Sequence, residues 1–377
     1  MMRYISILVL AGAALGSCSR GHVIEVANDS SLDRTAEMTA VALADVRRAV
    51  GEGTFVLRDA AGVEVPYQIT YDSLVVFPVT VAAASTAAYT LEEGIPTLVD
   101  TLATGAFYER RKDDLAWEND RSAYRAYGPA LQASGERAYG YDIWTKSVAA
   151  PVVDKRYYLA WDEGKSFHDD HGEGMDQYAV GPTLGGGTAA LLDSAGAIRY
   201  PWCYESYEIL DNGPLRFTVR LTYPDTLGVR ERRLITLDAG DFLNRTAVSY
   251  EGLREATPVV SGIVVHRQNP DGYRLDPDTR TLCYADSTQD ASAGYGVIYV
   301  GIVAPAADSL MMQPLAEPAG DAIGHILARG TYQPGSEYVY WWGSGWSKGF
   351  MPDSASWQQY LADFSIRVGS PLKTTVK

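Results

Sequence analysis

Short segments in which apolar and polar residues alternate recur along most of the chain, and turn residues separate them. Residues 216–223 alternate strictly, as a strand with one solvated face does. Turn chemistry marks the boundaries, as in Asn212-Gly213-Pro214 and Asp238-Ala239-Gly240-Asp241. Tyr, a strand-forming residue, occurs 25 times against 8 Phe. The pattern predicts an all-β protein whose sheets pack face to face.

The same pattern divides the chain into three parts. Residues 1–17 have the basic start and short apolar run of a secretion signal, shorter than the about 20 residues of a membrane-spanning helix. Residues 18–98 predict a small β-sandwich unit, in which residues 34–50 fit either helix or strand. Residues 99–377 predict a larger sandwich that would carry the activity and end in a helix capped by Ser356.

The charge and the cysteines limit partners and location. Lys plus Arg number 32 and Asp plus Glu 47, a net charge of −15, which argues against nucleic acid because phosphates need a basic face. Cys18 ends the apolar run like the lipidated Cys of a bacterial lipobox. We expect this lipid anchor, in the outer membrane and facing the periplasm or the cell surface, to be the chain's sole membrane contact. Cys203 and Cys283 would pair there or remain separate buried thiols.

A first polar segment, residues 109–121, carries nine charges in thirteen residues. On an extended strand these charges lie on two faces, so one set would face a groove; a solvated surface is the alternative. A guanidinium grips a carboxylate through two parallel hydrogen bonds. The candidates for binding a substrate carboxylate are Arg110, Arg111, Arg121 and Arg125.

A second segment, residues 168–178, gathers two of the five His with four carboxylates and a Tyr. Such groups suit acid/base catalysis, since His titrates near neutral pH, although hydrogen-bonded loop histidines without a function are an alternative. The acid/base candidates are His168, His171 and Tyr178, and the carboxylates that would orient a His or bind substrate are Glu173 and Asp176. A divalent metal on His168, His171 and Glu173 is disfavoured because residues three apart on a strand face opposite sides. We expect no metal and no other cofactor.

A third segment, residues 338–348, begins with three Trp and two Tyr in nine residues. Trp beside Gly and Ser stacks on apolar sugar faces while its neighbours bond the hydroxyls, although a core position is the alternative. Lys348 would neutralise an acidic sugar, and His266, at a strand end, is a further acid/base candidate. The aromatic substrate-binding candidates are Trp117, Trp144, Trp342 and Trp346.

Several of these blocks occur together in one known family. The matching residues are 109–121, 127–131, 142–146, 168–176, 180–185, 238–240 and 342–348. With them the chain resembles an uncharacterised-domain family of Bacteroidetes lipoproteins from polysaccharide-utilisation gene clusters. The resemblance implies a galactose-mutarotase-like β-supersandwich preceded by the small β-sandwich. It also implies similarity to an oligosaccharide dehydratase of ulvan degradation, which removes water from a terminal glucuronate.

Residues and resemblance together predict a lyase or dehydratase that acts by β-elimination on uronate-containing oligosaccharides. The reaction needs a base for the C5 proton, an acid for the oxygen leaving C4, and a cation beside the carboxylate to stabilise the developing enolate. The second hypothesis is a glycoside hydrolase that pairs Asp170 with Glu173 or Asp114 with Glu118. The third is a non-catalytic glycan-binding lipoprotein.

Overall fold

A computed structural model describes residues 21–287 and 291–377 of the protein. The expected secretion signal, residues 1–17, and the expected lipidation site, Cys18, lie outside the described residues. Within those ranges, every helix is too short or too polar to cross a lipid bilayer.

The first unit is a small β-sandwich of two sheets and one helix. Its elements are β1 (His22–Asn28), β2 (Arg34–Ala42), α1 (Leu43–Val50), β3 (Phe55–Arg58), β4 (Glu64–Val65), β5 (Gln68–Ile69), β6 (Leu74–Val81) and β7 (Ser85–Glu93). One sheet has the order β25-β1-β7-β3-β4, in which β25 (Lys373–Val376) follows every other element in the chain, and the second has the order β2-β6-β5. Val26, Phe77 and Leu91 meet in the core between them.

The ambiguous residues 34–50 form both kinds of structure, because β2 runs directly into α1. The helix buries Leu43, Val46 and Val50, which lie on one face at helical spacing. The β-branched residues and the alternation of β2 favour pairing with β6 instead. The segment therefore has a strand-like residue pattern followed by a helical one. Neither a helix nor a strand alone describes residues 34–50.

The larger unit contains three further sheets. Its strands are β8 (Ala103–Tyr108), β9 (Asp114–Asn119), β10 (Ala123–Ala126), β11 (Asp142–Trp144), β12 (Gly186–Leu192), β13 (Ile198–Arg199), β14 (Ser206–Asn212), β15 (Arg216–Thr222), β16 (Arg230–Asp238), β17 (Leu243–Glu251), β18 (Thr257–His266), β19 (Tyr273–Asp276), β20 (Thr281–Asp286), β21 (Ile298–Val303), β22 (Ser309–Ala319), β23 (Ala322–Tyr332) and β24 (Tyr338–Trp346). Its helices are α2 (Pro129–Ala133), α3 (Val153–Asp162) and α4 (Ser354–Gly369). The strand orders are β11-β10-β9-β8, β13-β12-β18-β23-β22 and β14-β15-β16-β17-β24-β21-β20-β19.

The eight-stranded sheet forms one layer, and the other two sheets together form the layer that faces it. A parallel bridge between Tyr141 and Gly185 links the four-stranded to the five-stranded sheet. Buried side chains from all three sheets, such as Trp117, Ile263 and Trp342, belong to one core. The structure confirms the predicted all-β class, a broad sandwich preceded by a small β-sandwich.

The predicted C-terminal helix is present, but its N-cap lies three positions before the expected residue and is of a different type. Asp353, not Ser356, is the N-cap, and its carboxylate accepts the backbone N–H of Ser356 at 2.8 Å. Trp357, Leu361 and Phe364 form the predicted buried stripe of α4. An ionised Asp is favoured at this position because the N-terminal end of the helix dipole is positive.

Candidate active site

A cavity of about 510 Å³ opens at one end of the large sandwich, where β10, the end of β18 and residues 176–182 meet the turn between β22 and β23. We call it the His266 cavity. The polar side chains on its wall are Arg125, Tyr127, His168, Asp176, Tyr178, His266 and Asp321. It therefore holds three of the four residues to which the sequence assigned acid/base roles, together with one of the candidate arginines.

His266 is the last residue of β18 and only 5% exposed. Its Nδ1 lies 2.7 Å from Oδ2 of Asp286, the last residue of β20. The hydroxyl of Tyr284 accepts the backbone N–H of His266 at 3.1 Å, so the start of the side chain is held as well. Because an ionised carboxylate only accepts hydrogen bonds, this contact favours, for the neutral ring, the tautomer with its proton on Nδ1 and its lone pair on Nε2.

Tyr178 stands beside this pair, with its ring centroid 6.1 Å from that of His266 and nearly perpendicular to it. The side chain is 2% exposed, and its hydroxyl has no hydrogen-bond partner among the described residues. Burial, and then the negative charge of Asp286, raise the pKa of Tyr178 well above its usual value. The phenol hydroxyl thus stays protonated at neutral pH and can donate a hydrogen bond to a bound molecule.

Arg125 occupies the floor of the cavity and meets three carboxylates. It forms an ion pair with Asp142, and lies 3.0 Å from Asp176 and 3.2 Å from Asp114. Burial, followed by repulsion from Asp142, raises the pKa of Asp176, and burial raises that of Asp114. Tyr157 donates a hydrogen bond to Asp114 at 3.0 Å. One guanidinium therefore fixes carboxylates from β9, from β11 and from the loop that contains Asp176 in a nearly dry centre.

His168 lies at the rim of the cavity, with half of its side chain exposed. Its Nδ1 lies 2.8 Å from the backbone carbonyl of Asp176, which orients the ring. The loop that carries it depends on Gly174, which has a φ of +101°. A Cβ at Gly174 would lie only 2.2 Å from the carbonyl oxygen of Thr145, so the loop requires glycine to approach this closely.

His171 does not reach the cavity. It is exposed, and its Nε2 lies 2.9 Å from the backbone carbonyl of Ser166. Glu173 pairs with Lys155 at 2.6 Å instead of approaching His171. Across residues 21–287 and 291–377, no group of three His, Cys, Asp or Glu side chains is arranged to hold a metal ion, so geometry gives the metal alternative no support.

The other predicted cations lie outside the cavity wall. Arg110 pairs with Asp162 at 3.2 Å and lies over the ring of Trp161, on the surface of α3. Arg121 contacts Asp120 at 3.3 Å and the ring of Phe350. The remaining two, Arg111 and Lys348, are half-buried and exposed respectively, and neither lines the cavity.

The four Trp predicted to bind sugar are buried, which corrects that assignment. Their exposures are 0% for Trp117 and Trp342, 1% for Trp144 and 3% for Trp346. Trp342 stacks on Tyr141 at 4.1 Å, and its Nε1 donates to Thr246 at 2.8 Å. The rings of Trp117, Trp342 and Trp346 belong to the core between the layers, and the ring of Trp144 packs against Tyr157 of α3. In such close-packed surroundings no sugar can reach them.

The carboxylate pairs of the hydrolase hypothesis also lie away from the cavity wall. Asp170 accepts the backbone N–H groups of Gly172 and Gly174 within its own loop. Glu118 is 2% exposed and accepts from the ammonium group of Lys146, while Asp114 is bound by Arg125. Asp114 and Glu118 are therefore inaccessible to a sugar, while Asp170 and Glu173 lie nearer the surface but already bind groups of the protein.

The sequence reading did not identify Asp286 or Asp142. Asp286 ends a strand, as His266 does, and that position was the one signal available for it. Asp142 lies in the block 142–146 used for the family resemblance, but nothing local indicates that it would meet Arg125. Asp286 and Asp142 reach His266 and Arg125 only in the folded protein, where separate strands come together.

Comparison with known proteins places the chain in a family. Residues 26–374 match the family described as "Domain of unknown function (DUF4861)". "Uncharacterized protein P7" of Formosa agariphila is 27% identical over 285 residues, covering 72% of this chain and 69% of that protein. An alpha-mannosidase from Enterococcus faecalis V583 has a similar fold, with a TM-score of 0.51 and 9% sequence identity. The similarity covers 95% of this chain but only 46% of the mannosidase chain. Because the family match covers nearly the whole sequence, the chain belongs to the DUF4861 family.

Proposed function

We propose that this protein is a carbohydrate-active lyase or dehydratase that acts by β-elimination on uronate-containing oligosaccharides. The observation that carries the proposal is the meeting of Tyr178, His266 and Arg125 in one cavity. These are a proton donor, a base and a cation, which are the three groups that the elimination needs. His168, at the rim, would contact the sugar as it enters.

His266 would be the base. Asp286 accepts the proton on Nδ1, so the lone pair on Nε2 is available to take the proton from C5 of the uronate. The buried carboxylate would also stabilise the imidazolium that forms. Base catalysis by a positioned side chain typically contributes about 10²–10⁴-fold to a rate.

Tyr178 would be the acid. Its hydroxyl is protonated at neutral pH, as that of an ordinary Tyr is, and no described residue accepts that proton. The electrons of the C5–H bond form the C4–C5 double bond, the C4–O bond breaks, and the leaving oxygen takes the Tyr178 proton. Water is the leaving group in a dehydratase, and solvent restores both side chains afterwards.

Arg125 would face the substrate carboxylate. Its Nε has no partner among the described residues, and the raised pKa of Asp176 makes that carboxyl easy to protonate. The pKa of Asp114 is raised as well, so with both carboxyls protonated Asp142 alone balances the guanidinium, and Asp176 can donate a hydrogen bond to the substrate. The developing enolate would therefore meet two donors in a dry site, where charge stabilisation is strong.

The fold is similar to that of an alpha-mannosidase, and this supports a carbohydrate substrate by analogy of architecture alone. We further propose that the protein is anchored to the outer membrane through Cys18, facing the periplasm or the cell surface, and binds no nucleic acid. Replacement of Cys18 by Ser should release the protein from the membrane fraction. A Cys18→Ser protein that stays in that fraction would contradict the anchor.

The elimination can be followed directly, since an unsaturated uronate absorbs in the ultraviolet. The protein would be incubated with a panel of oligosaccharides that carry glucuronate, iduronate or galacturonate at the non-reducing end. One or more members should gain absorbance, at a rate reduced about 100-fold or more in Tyr178→Phe and in His266→Gln. Tyr158→Phe is the matched control, since that ring is 55% exposed and lies outside the cavity.

Two results would overturn the proposal. The first is no new absorbance with any member of the panel while the protein is folded. The second is cleavage without a chromophore, with new reducing ends, which would assign the cavity to hydrolysis. Equal activity of Tyr178→Phe and the wild type would remove the acid from the scheme.

A further inference from the structure

A second cavity, of about 270 Å³, lies at the other end of the large sandwich. We call it the Trp202 cavity. Leu191 lines it and pairs with Val259 near the start of β18, whereas His266 ends the same strand. At about 3.3 Å per residue, the two cavities are roughly 20 Å apart. The Trp202 cavity is thus separate from the proposed active site.

The rim of this cavity is aromatic and exposed. Trp202 is 48% exposed, in contrast to the four buried Trp of the core, and lies beside Tyr200. Leu227, on the opposite turn, is 86% exposed. Large apolar side chains exposed around a concavity mark binding surfaces, and a Trp face matches the apolar face of a sugar ring.

The floor of the cavity is polar. Tyr250 is 5% exposed, and its hydroxyl has no hydrogen-bond partner among the described residues. Leaving a buried hydroxyl unpaired costs about 1–3 kcal/mol, so a bound group that pairs with it is favoured. Glu231 adds a carboxylate acceptor and is itself held by the buried guanidinium of Arg233. A purely apolar ligand would leave Tyr250 unpaired, whereas a sugar hydroxyl satisfies it.

Arg199 gives the rim its charge. It lies on the edge strand β13, is exposed, and has no ion pair with a carboxylate in the described part of the chain. Because the buried Arg233 pairs with Glu231, Arg199 is the unpaired charge among the described residues that line the cavity. This charge attracts an acidic ligand to the rim of a protein whose net charge is −15.

We propose that the Trp202 cavity is a non-catalytic binding site for a carboxylate-bearing sugar residue of an oligosaccharide. Trp202 stacks on the ring, Tyr250 and Glu231 bond its hydroxyls, and Arg199 pairs with its carboxylate. The site would hold a second part of a long chain while the His266 cavity acts on its end. The assignment stands independently of the chemistry at His266.

Fluorine NMR of the full chain labelled with 5-fluorotryptophan tests occupancy at this position. The Trp202 resonance is identified by its loss in Trp202→Phe, and the other seven Trp are internal controls. Titration with digalacturonate should shift the Trp202 signal at a concentration at least fivefold lower than titration with galactobiose, its neutral counterpart. Arg199→Gln should remove that difference, while Arg220→Gln, an exposed arginine elsewhere on the eight-stranded sheet, should preserve it.

Tyr250→Phe removes a hydroxyl that has no protein partner, so the fold is retained while binding of both sugars weakens about threefold to tenfold. No shift of the Trp202 resonance with either sugar would overturn the proposal. So would equal affinity for the acidic and neutral sugars, or a preference that survives Arg199→Gln. Because the readout is local to Trp202, loss of activity at His266 leaves the result unaffected.

Discussion

Nδ1 of His266 and Oδ2 of Asp286 lie 2.7 Å apart, although the two residues belong to different sheets. His266 ends β18 in the five-stranded sheet, and Asp286 ends β20 in the eight-stranded sheet. The hydroxyl of Tyr284, also on β20, bonds both backbone groups of His266. The packing of the two layers therefore sets the geometry of the proposed base.

Asp286→Asn should keep the fold and lower turnover about 100-fold or more. The amide can donate to Nδ1, which would move the imidazole proton to Nε2 and leave no lone pair facing the cavity. The loss should appear in kcat with little change in KM, because Asp286 acts through His266 and does not contact the substrate. Steady-state kinetics would measure it, with Asp363→Asn on the exposed face of α4 as control. A wild-type kcat in Asp286→Asn would contradict the role of the pair.

Trp342→Ala should lower the free energy of unfolding by about 3–5 kcal/mol, because a buried ring that stacks on Tyr141 is lost and a cavity remains. Trp202→Ala is the matched comparison, since that ring is 48% exposed, and its cost should stay within about 0.5 kcal/mol. Urea unfolding followed by circular dichroism measures both values. Equal effects would contradict the division between core and surface tryptophans.

Arg125→Gln should destabilise the protein by about 3–5 kcal/mol at neutral pH, because Asp142, Asp176 and Asp114 would remain buried without their cation. The pKa values of Asp176 and Asp114 are already raised in the folded protein. A raised carboxyl pKa favours the folded state at low pH, and that contribution is lost as the pH rises. The deficit of Arg125→Gln should therefore shrink from pH 7.5 to pH 5. Urea midpoints at both values test this, and a deficit that grows toward acid would contradict it.

The buried His325 leads us to expect a second pH dependence of the protein's stability. It is 0% exposed on β23, and burial lowers its pKa to about 3. Since an unfolded His titrates near 6.5, the contribution to stability is present above that pH and is lost as the pH falls toward about 3. The slope is roughly 1 kcal/mol per pH unit in this window.

His325→Gln keeps an acceptor for the backbone N–H of Leu184, which His325 Nε2 accepts at 3.2 Å, but it removes the titration. Between pH 6.5 and pH 4.5 the wild type should lose more unfolding free energy than this variant. Denaturant unfolding at several pH values provides the comparison. Parallel pH curves for the two proteins would show that His325 does not titrate in this way.

The sheets could be predicted because one buried face leaves a period of two in the sequence. Residues 216–223 alternate strictly, and β15 occupies most of them. The ambiguity of residues 34–50 had a physical origin, since a strand and a helix share that segment. The order of the strands within each sheet was beyond local reasoning, because contacts such as β17 with β24 join distant segments.

The site could be predicted only for residues that a local signal marked. Tyr178 and His168 lie in a polar segment, and His266 at a strand end, and all three line one cavity. Contacts between separate segments have no such signal, so the pairing of Arg125 with Asp142 and that of His266 with Asp286 were missed. Trp342 was misassigned because its glycine neighbours were taken as features of a binding loop. The structure shows that these glycines serve packing: a Cβ at Gly343 would lie 1.9 Å from the carbonyl oxygen of Phe242, and one at Gly345 would lie 2.5 Å from Cβ of Met351.

The pairing of β1 with both β7 and β25 has a consequence for biosynthesis. Ile24 pairs with Tyr89 on one side and with Val376 on the other, so one neighbour of β1 leaves the ribosome soon after it and the other some 350 residues later. Until then, the open edge of β1 presents unsatisfied amide and carbonyl groups to any passing strand. The sheet therefore stays incomplete until the last residues of β25 are available, and a truncation before Lys373 would leave that edge of β1 open.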